Sequence, residues 1–276
     1  MKAPAFSPSL FCDTLLKTGG YQTPPEARRR PLPSVVATPV FYARMFAEVY
    51  FRGWLDACKP DFYEKHWASL SHRVWRLCAT LGGVYDVSGF TGLPPTAVYV
   101  SNHASQLETF LLPGLLLPFG GLTVVIKEEI TRYPFFGRVA RESHCIAIGR
   151  TNPLADLRKV LFDGEATLRN QRSVLIFPQG KRLTLFAPDS FNTIGTKLAQ
   201  RANVPIVPIA VKTDFCPVGK LHRELSPILP RRTIRIRCGT PIPPTGSPKD
   251  IHAHCIAHIT STLREWESLD GVPLIK

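Results

Sequence analysis

From residue 84 onward, short apolar runs alternate with longer stretches in which apolar residues recur every three or four positions. The runs at 84–88, 97–101, 122–127, 145–149, 173–177, 205–211 and 233–238 read as strands. Between them lie helical patterns. Asn152 is placed as an N-cap with Pro153 at the first helical position, and Leu154, Leu157, Leu161 and Leu168 then share one face. A further helix is expected at 191–202 and a last one at 250–266, with Ile251, Cys255, Ile259, Leu263 and Trp266 on one stripe. Apolar strands alternating with helices predict an α/β fold with a mostly parallel central sheet covered by helices.

The first third of the chain reads differently. Residues 1–39 are Pro-rich and carry Arg28, Arg29 and Arg30 in a row, which predicts a flexible basic arm. Residues 40–82 are expected to form an N-terminal helical pair, at 40–58 and 61–81, ahead of the α/β domain at 83–276. The first helix is crowded with Phe41, Tyr42, Phe46, Tyr50, Phe51 and Trp54 beside Arg44 and Arg52. Such a helix either packs its rings onto the main domain or lies at a membrane surface with its Arg side chains among phosphates. Residues 109–126 carry no charge over 18 positions, the nominal length of a membrane span. Pro113, Gly114, Pro118, Gly120 and Gly121 interrupt them, so a broken helix followed by a strand is expected instead.

Composition narrows the class. With 44% hydrophobic and 20% charged residues in 276, wholesale disorder and fibrous structure are excluded. The formal net charge of +13 is Arg-heavy, 22 Arg to 12 Lys. The planar guanidinium suits phosphate, so the partner is expected to bear it: nucleic acid, an anionic membrane face or a phosphorylated substrate. The seven Cys are scattered with no C-x-x-C, as expected of reduced, mostly buried thiols in a cytosolic setting. The opening residues show no secretory signal. Phosphate-loop, dinucleotide and serine-hydrolase motifs are missing. His254 and His258 are four apart on the last predicted helix, but no third ligand completes a metal pattern, and a solvated helix face accounts for them.

The informative segment runs from Val98 to Glu108. His103 follows the strand that ends at Ser101, at the carboxyl end where α/β folds bind ligands. Glu108 lies five residues on, in the first turn of a helix, where its carboxylate can fold back onto the imidazole, fix the tautomer and stabilise the imidazolium. The competing reading is structural: Ser105 to Glu108 matches the S-x-x-E capping box, in which Glu108 satisfies backbone donors.

Three further blocks come in order. Lys127 opens K-E-E-I-T-R-Y-P-F-F-G after the third strand, and Arg150 closes I-A-I-G-R after the fourth. Phe177, Pro178, Gln179, Gly180, Lys181 and Arg182 follow the fifth, and V-P-I-V-P begins the sixth at Val204. With N-H-x4-E, these blocks resemble the 1-acyl-glycerol-3-phosphate acyltransferase (lysophosphatidate acyltransferase) family, over about residues 84–266. The resemblance implies that His103 is the general base, that Glu108 orients it, and that Lys127, Arg150 and Arg182, with Lys181 beside them, hold the acceptor phosphate. It further implies an O-acyltransferase of phospholipid biosynthesis acting on a lysophospholipid, with acyl-CoA or acyl carrier protein as donor, no metal or other cofactor, and no nucleic acid as partner. The enzyme would sit peripherally or monotopically on the cytoplasmic face of an anionic membrane. Two departures stand out: Glu108 replaces the family's Asp, and F-P-Q-G-K-R replaces F-P-E-G-T-R, so Gln179 loses a negative charge and Lys181 adds a positive one. The alternative from another class is a basic nucleic-acid-binding protein with a structural His103–Glu108 pair. Convergence of the basic residues on one pocket beside His103, or their spread along an open groove, separates the two.

Overall fold

A computed structural model describes residues 4–219 and 225–276. The apolar runs form β2 (Tyr85–Ser88), β3 (Val98–Ser101), β4 (Gly121–Lys127), β5 (Ile146–Ile148), β6 (Arg172–Ile176), β7 (Ile206–Lys212) and β8 (Ile234–Cys238). With β1 (Tyr21–Gln22) they make one eight-stranded sheet, ordered β1-β2-β8-β7-β3-β6-β4-β5. All pairings are parallel except β1 with β2 and β7 with β8. The sheet is thus mostly parallel, and β3, which delivers His103, lies between β6 and β7 near its middle.

Period-two alternation sorts the strand side chains into two cores. Val98, Val100, Val174, Ile176 and Ile206 face one side, covered by α7 (Pro153–Arg169), α8 (Ile194–Ala202) and α9 (Pro248–Asp270). Tyr99, Leu175, Val207, Ile209 and Val211 face the other, under α4 (Trp67–Thr80), α5 (Leu107–Leu116) and the N-terminal segments. Asn152 caps α7 as expected, its Oδ1 accepting the Leu154 and Ala155 backbone N–H groups at 3.1 Å. The buried stripe of α7 runs through Val160, Gly164, Thr167 and Leu168, however, and Leu154 is exposed. The α9 stripe is buried at all five expected positions. Residues 109–126 are α5, a 3-10 turn (Leu117–Phe119) and β4, a broken helix and then a strand. Among the described residues no helix is long and apolar enough to cross a membrane. A short α6 (Phe136–Glu142), not anticipated, follows the Lys127 block.

The described part of the expected flexible arm is ordered instead. Helix α1 (Pro8–Thr18) is started by the Ser7 side chain and stopped at Gly19, whose φ of 68° permits the left-handed cap. Any side chain at Gly19 would also collide with Thr91. Phe6, Phe11, Leu15 and Tyr21 are buried, with the Phe11 ring 4.7 Å from Trp75. Full burial of each is worth about 1.5–3 kcal/mol, enough to override the Pro content that suggested an arm. At its Arg28–Arg30 end, Arg28 and Arg30 are exposed.

The helical pair is present with shifted bounds. The first helix starts earlier as α2 (Ser34–Arg44), accommodating Pro39 in its interior, and continues through a π-helical stretch (Met45–Phe51) into α3 (Arg52–Asp56). Its inner face buries Phe41, Met45 and Val49; Phe46, Phe51 and Leu55 are exposed. Phe46, Phe51 and Trp54 surround the Phe135 ring at 5.6, 5.8 and 6.0 Å. One face of this helix therefore packs onto the domain, and the other leaves aromatic rings in solvent. Of the seven free cysteines, Cys78, Cys216, Cys238 and Cys255 are buried, Cys12 and Cys145 half-buried, and Cys58 exposed.

Candidate active site

β3 ends at Ser101, and Asn102 fixes the path of the chain beyond it. Its side-chain amide accepts the Val211 backbone N–H at 2.8 Å and donates to the Val211 carbonyl at 2.9 Å, extending the strand pairing by one residue. His103 is thereby held at the carboxyl edge of the sheet. Its Nδ1 lies 2.9 Å from Glu108 Oε1, in the first turn of α5. The same oxygen accepts the Ser105 backbone N–H at 2.7 Å, which is the contact the capping reading expected. Glu108 does both jobs.

Its second oxygen, Oε2, lies 2.8 Å from the Ser105 hydroxyl and 2.6 Å from the Thr213 hydroxyl. Glu108 is fully buried. Burial alone would push its carboxyl pKa up, but hydrogen bonds from His103, Thr213 and Ser105 outweigh it and hold the pKa below the usual carboxylate value. The carboxylate is therefore ionised beside the imidazole. With Nδ1 committed to Glu108, His103 has Nε2 left for the cavity it lines.

The segment 177–183 makes three contacts with His103. The Gln179 side-chain oxygen accepts the His103 N–H at 2.7 Å, the His103 carbonyl accepts the Leu183 N–H at 2.9 Å, and the Phe177 ring stacks on the imidazole at 4.4 Å. The loop turns tightly, Gly180 N–H bonding the Phe177 carbonyl at 3.1 Å with a Gly180 φ of 67°. Gln179 thus has a definite task, supporting the backbone of the imidazole. Its carboxamide oxygen does this without a buried charge, while its Nε2 is buried with no hydrogen-bond partner among the described residues.

A cavity of about 550 Å3 opens over His103, and Lys127, Arg150, Lys181 and Arg182 all line it. Each follows a strand end, as the sequence pattern required. Four basic side chains face one acidic one, Glu129, which pairs with Lys127 at 2.5 Å. Arg150 has a φ of 61°, unusual for a non-glycine residue. The Asp156 carboxylate supports that turn by accepting the Gly149 and Arg150 N–H groups at 3.0 and 2.8 Å. Desolvation lowers the Arg150 pKa, Glu129 and Asp156 offset it, and Arg182 lowers it further, as expected where two guanidinium groups share a site. Both remain cations at neutral pH. The basic residues converge on one pocket beside His103.

Much of the remaining wall is apolar, with Met45, Tyr50, Phe110, Ile130 and Phe136, and Gln106 and Thr109 add polar groups. A smaller apolar cavity of about 60 Å3 between α4, α5 and β4 shares Phe110, Ile130 and Phe136 with it. The arrangement sets a proton acceptor between an anion site and an apolar recess. His254 is exposed and His258 half-buried on α9, and among the described residues no cluster of three or more His, Cys, Asp or Glu could hold a metal. The sequence pattern assigns no role to Asn102 or Thr213. Ser105 was visible in the capping pattern, whereas Thr213 lies 105 positions from Glu108 with no local signal.

A family profile described as Acyltransferase matches residues 86–212. The chain is 31% identical over 185 residues to a 1-acyl-sn-glycerol-3-phosphate acyltransferase of Pseudomonas aeruginosa, covering 63% of this chain and 70% of that protein. It is 30% identical over 131 residues to a Cocos nucifera protein of the same name, covering 48% of this chain and 42% of that one. The fold is similar to the crystal structure of the 1-acyl-sn-glycerophosphate acyltransferase PlsC of Thermotoga maritima. The TM-score is 0.62 at 18% identity, over 85% of this chain and 96% of that one.

Proposed function

Because the chain belongs to the 1-acyl-sn-glycerol-3-phosphate acyltransferase family and is therefore an O-acyltransferase, we propose that it acylates 1-acyl-glycerol-3-phosphate from a thioester donor. The observation that carries this reading is the 2.9 Å His103–Glu108 contact beside four basic side chains in one cavity. Lys127, Arg150, Lys181 and Arg182 hold the acceptor phosphate. The neighbouring glycerol hydroxyl is thereby placed within reach of His103 Nε2. The imidazole takes the hydroxyl proton as the oxygen attacks the thioester carbonyl, with Glu108 stabilising the imidazolium. The tetrahedral intermediate collapses, the C–S bond breaks, and the imidazolium returns the proton to the leaving thiolate. No metal or further cofactor is needed, because a thiolate is a good leaving group and one base carries the proton from the hydroxyl to it.

The apolar wall and the smaller recess behind Phe110 accommodate acyl chain. The donor is acyl-CoA or acyl carrier protein, and the product enters phospholipid biosynthesis. The enzyme works on the cytoplasmic face of an anionic membrane, with Phe46, Phe51 and Leu55 at headgroup depth and the net charge of +13 drawn to the surface.

Steady-state kinetics of Arg182→Ala, each substrate varied in turn, test the acceptor. Loss of a charge-assisted phosphate contact should cost on the order of 2–4 kcal/mol in kcat/KM for lysophosphatidate, with little change for the thioester. A loss that falls equally on both substrates, or only on the thioester, places the phosphate elsewhere.

A further inference from the structure

Thr213 belongs to none of the four sequence blocks, yet it reaches the centre of the site. It follows β7 directly, is fully buried, and places its hydroxyl 2.6 Å from Glu108 Oε2. The Ser105 hydroxyl, itself buried, lies 2.8 Å from that oxygen and 2.9 Å from Thr213 Oγ1, and accepts the Leu107 N–H at 2.9 Å. The carboxylate is thus held at both ends, by His103 and the Ser105 N–H on Oε1 and by two hydroxyls on Oε2.

We infer that Thr213 is a positioning residue for acyl transfer, locking the Glu108 carboxylate so that one oxygen stays on His103 Nδ1. The inference rests on His103 being the general base. The need for a second anchor comes from the side chain. Glu has one torsion more than Asp, so a carboxylate on the longer stem has more ways to swing off the imidazole. Thr213 follows a different strand from His103, β7 rather than β3, and its hydroxyl is a donor fixed by the sheet rather than by the flexible stem. The anchor also keeps the carboxylate charged although it is fully buried. Once that donor is removed the carboxyl pKa rises, and Glu108 holds the Nδ1–H tautomer over a narrower pH range.

The other ionisable groups near this oxygen are few. Cys216 is buried on the loop after β7, with its thiol pKa raised first by burial and also by Glu108. Lys212 and Asp214 flank Thr213, but the Lys212 ammonium is engaged by Asp214 and Asp270 at 2.7 and 3.0 Å. Among the described residues, His103 is therefore the basic group that faces Glu108 directly.

Thr213→Val keeps the shape and removes the donor; Thr213→Ser keeps the donor. Thr213→Val should lower kcat about tenfold or more, as expected for a lost hydrogen bond to a charged group, and leave both KM values within about twofold. Thr213→Ser should recover most of the turnover. In a Glu108→Gln background the Val substitution should add less than about twofold, since Thr213 acts only through the carboxylate. Thr213→Ala, read by the same measurements, keeps the test open if the Val variant folds poorly. A Thr213→Val enzyme with wild-type kcat, alongside an inactive His103→Ala, overturns this inference and leaves the general-base reading standing. An equal Val penalty in the Glu108→Gln background overturns it too. An active His103→Ala enzyme removes both.

Discussion

Replacing Glu108 by Gln isolates the charge of the dyad from its geometry. The Ser105 N–H is a fixed donor 2.7 Å from Oε1, so the amide oxygen must take that side. The amide NH2 then faces the Ser105 and Thr213 hydroxyls, which rotate to accept it. No buried polar atom is orphaned and no volume changes, so the thermal midpoint should move little. What disappears is a negative charge about 4 Å from the centre of an imidazolium that forms only as the hydroxyl is deprotonated. At an effective dielectric constant of about 20, a full pair at that separation is worth about 4 kcal/mol. With roughly half the proton transferred in the transition state, the loss is about 2 kcal/mol, or about 30-fold in kcat. Free-thiol release at saturating lysophosphatidate and acyl thioester reads kcat directly. His103→Ala, which removes the base itself, should fall about 100-fold or more in the same assay. A Glu108→Gln enzyme within twofold of wild-type kcat would show that Glu108 is a helix cap and nothing more, and would falsify the dyad.

Lys212→Met should lower the unfolding free energy by about 3 kcal/mol, read as a shift in urea midpoint, because the fully buried ammonium joins Asp214 and Asp270. The value falls at the low end for a broken buried pair since Arg235 still pairs with Asp270 at 2.9 Å; an unchanged midpoint refutes the reading. Burial holds the His72 pKa down at about 4, so its proton binds the unfolded chain more readily. Stability from this residue is complete above pH 6.5 and is lost as the pH falls towards 4, up to about 3 kcal/mol in all. His72→Gln should flatten that part of the stability profile, and an equally steep fall in the variant would assign it to other groups. Phe46→Ser with Phe51→Ser should reduce co-sedimentation with anionic vesicles without lowering the thermal midpoint, as both rings are about half exposed. Vesicle binding unaffected by the pair and by high salt would place the contact elsewhere.

Seven strands, the capped α7 and the α9 stripe were legible because their patterns are local and strongly periodic. The base, its carboxylate and the four cations were legible because each belongs to a short block at a strand end, and the parallel sheet brings such ends together. The failures have physical causes. Pro8 starts α1 rather than interrupting it, and burial of Phe11 and Leu15 decides the order of that segment, which no local propensity reports. Leu154 matches the helical period of α7, but the buried stripe is centred on Val160 and Gly164, so it falls outside the packed face. Thr213 escaped because its partner is 105 positions away and a lone threonine after a strand carries no pattern.

The strand order also has a consequence for how the molecule comes into being. His103 and Glu108 are made early, but β3 gains its neighbours only when β6 and β7 have been synthesised, and β2 pairs with β8, at Ile234–Cys238. These are long loops to close, and the entropy of closing them must be met before pairing rewards it. The nascent protein therefore presents the aromatic helix at 34–56 well before it owns a working centre. Under the proposed function, contact with lipid would precede competence to modify it, and a ribosome stalled ahead of residue 213 would hold a chemically silent chain. Stalled chains of increasing length should gain acyl transfer only after β8 has cleared the exit tunnel; activity in a chain lacking β7 would contradict this order.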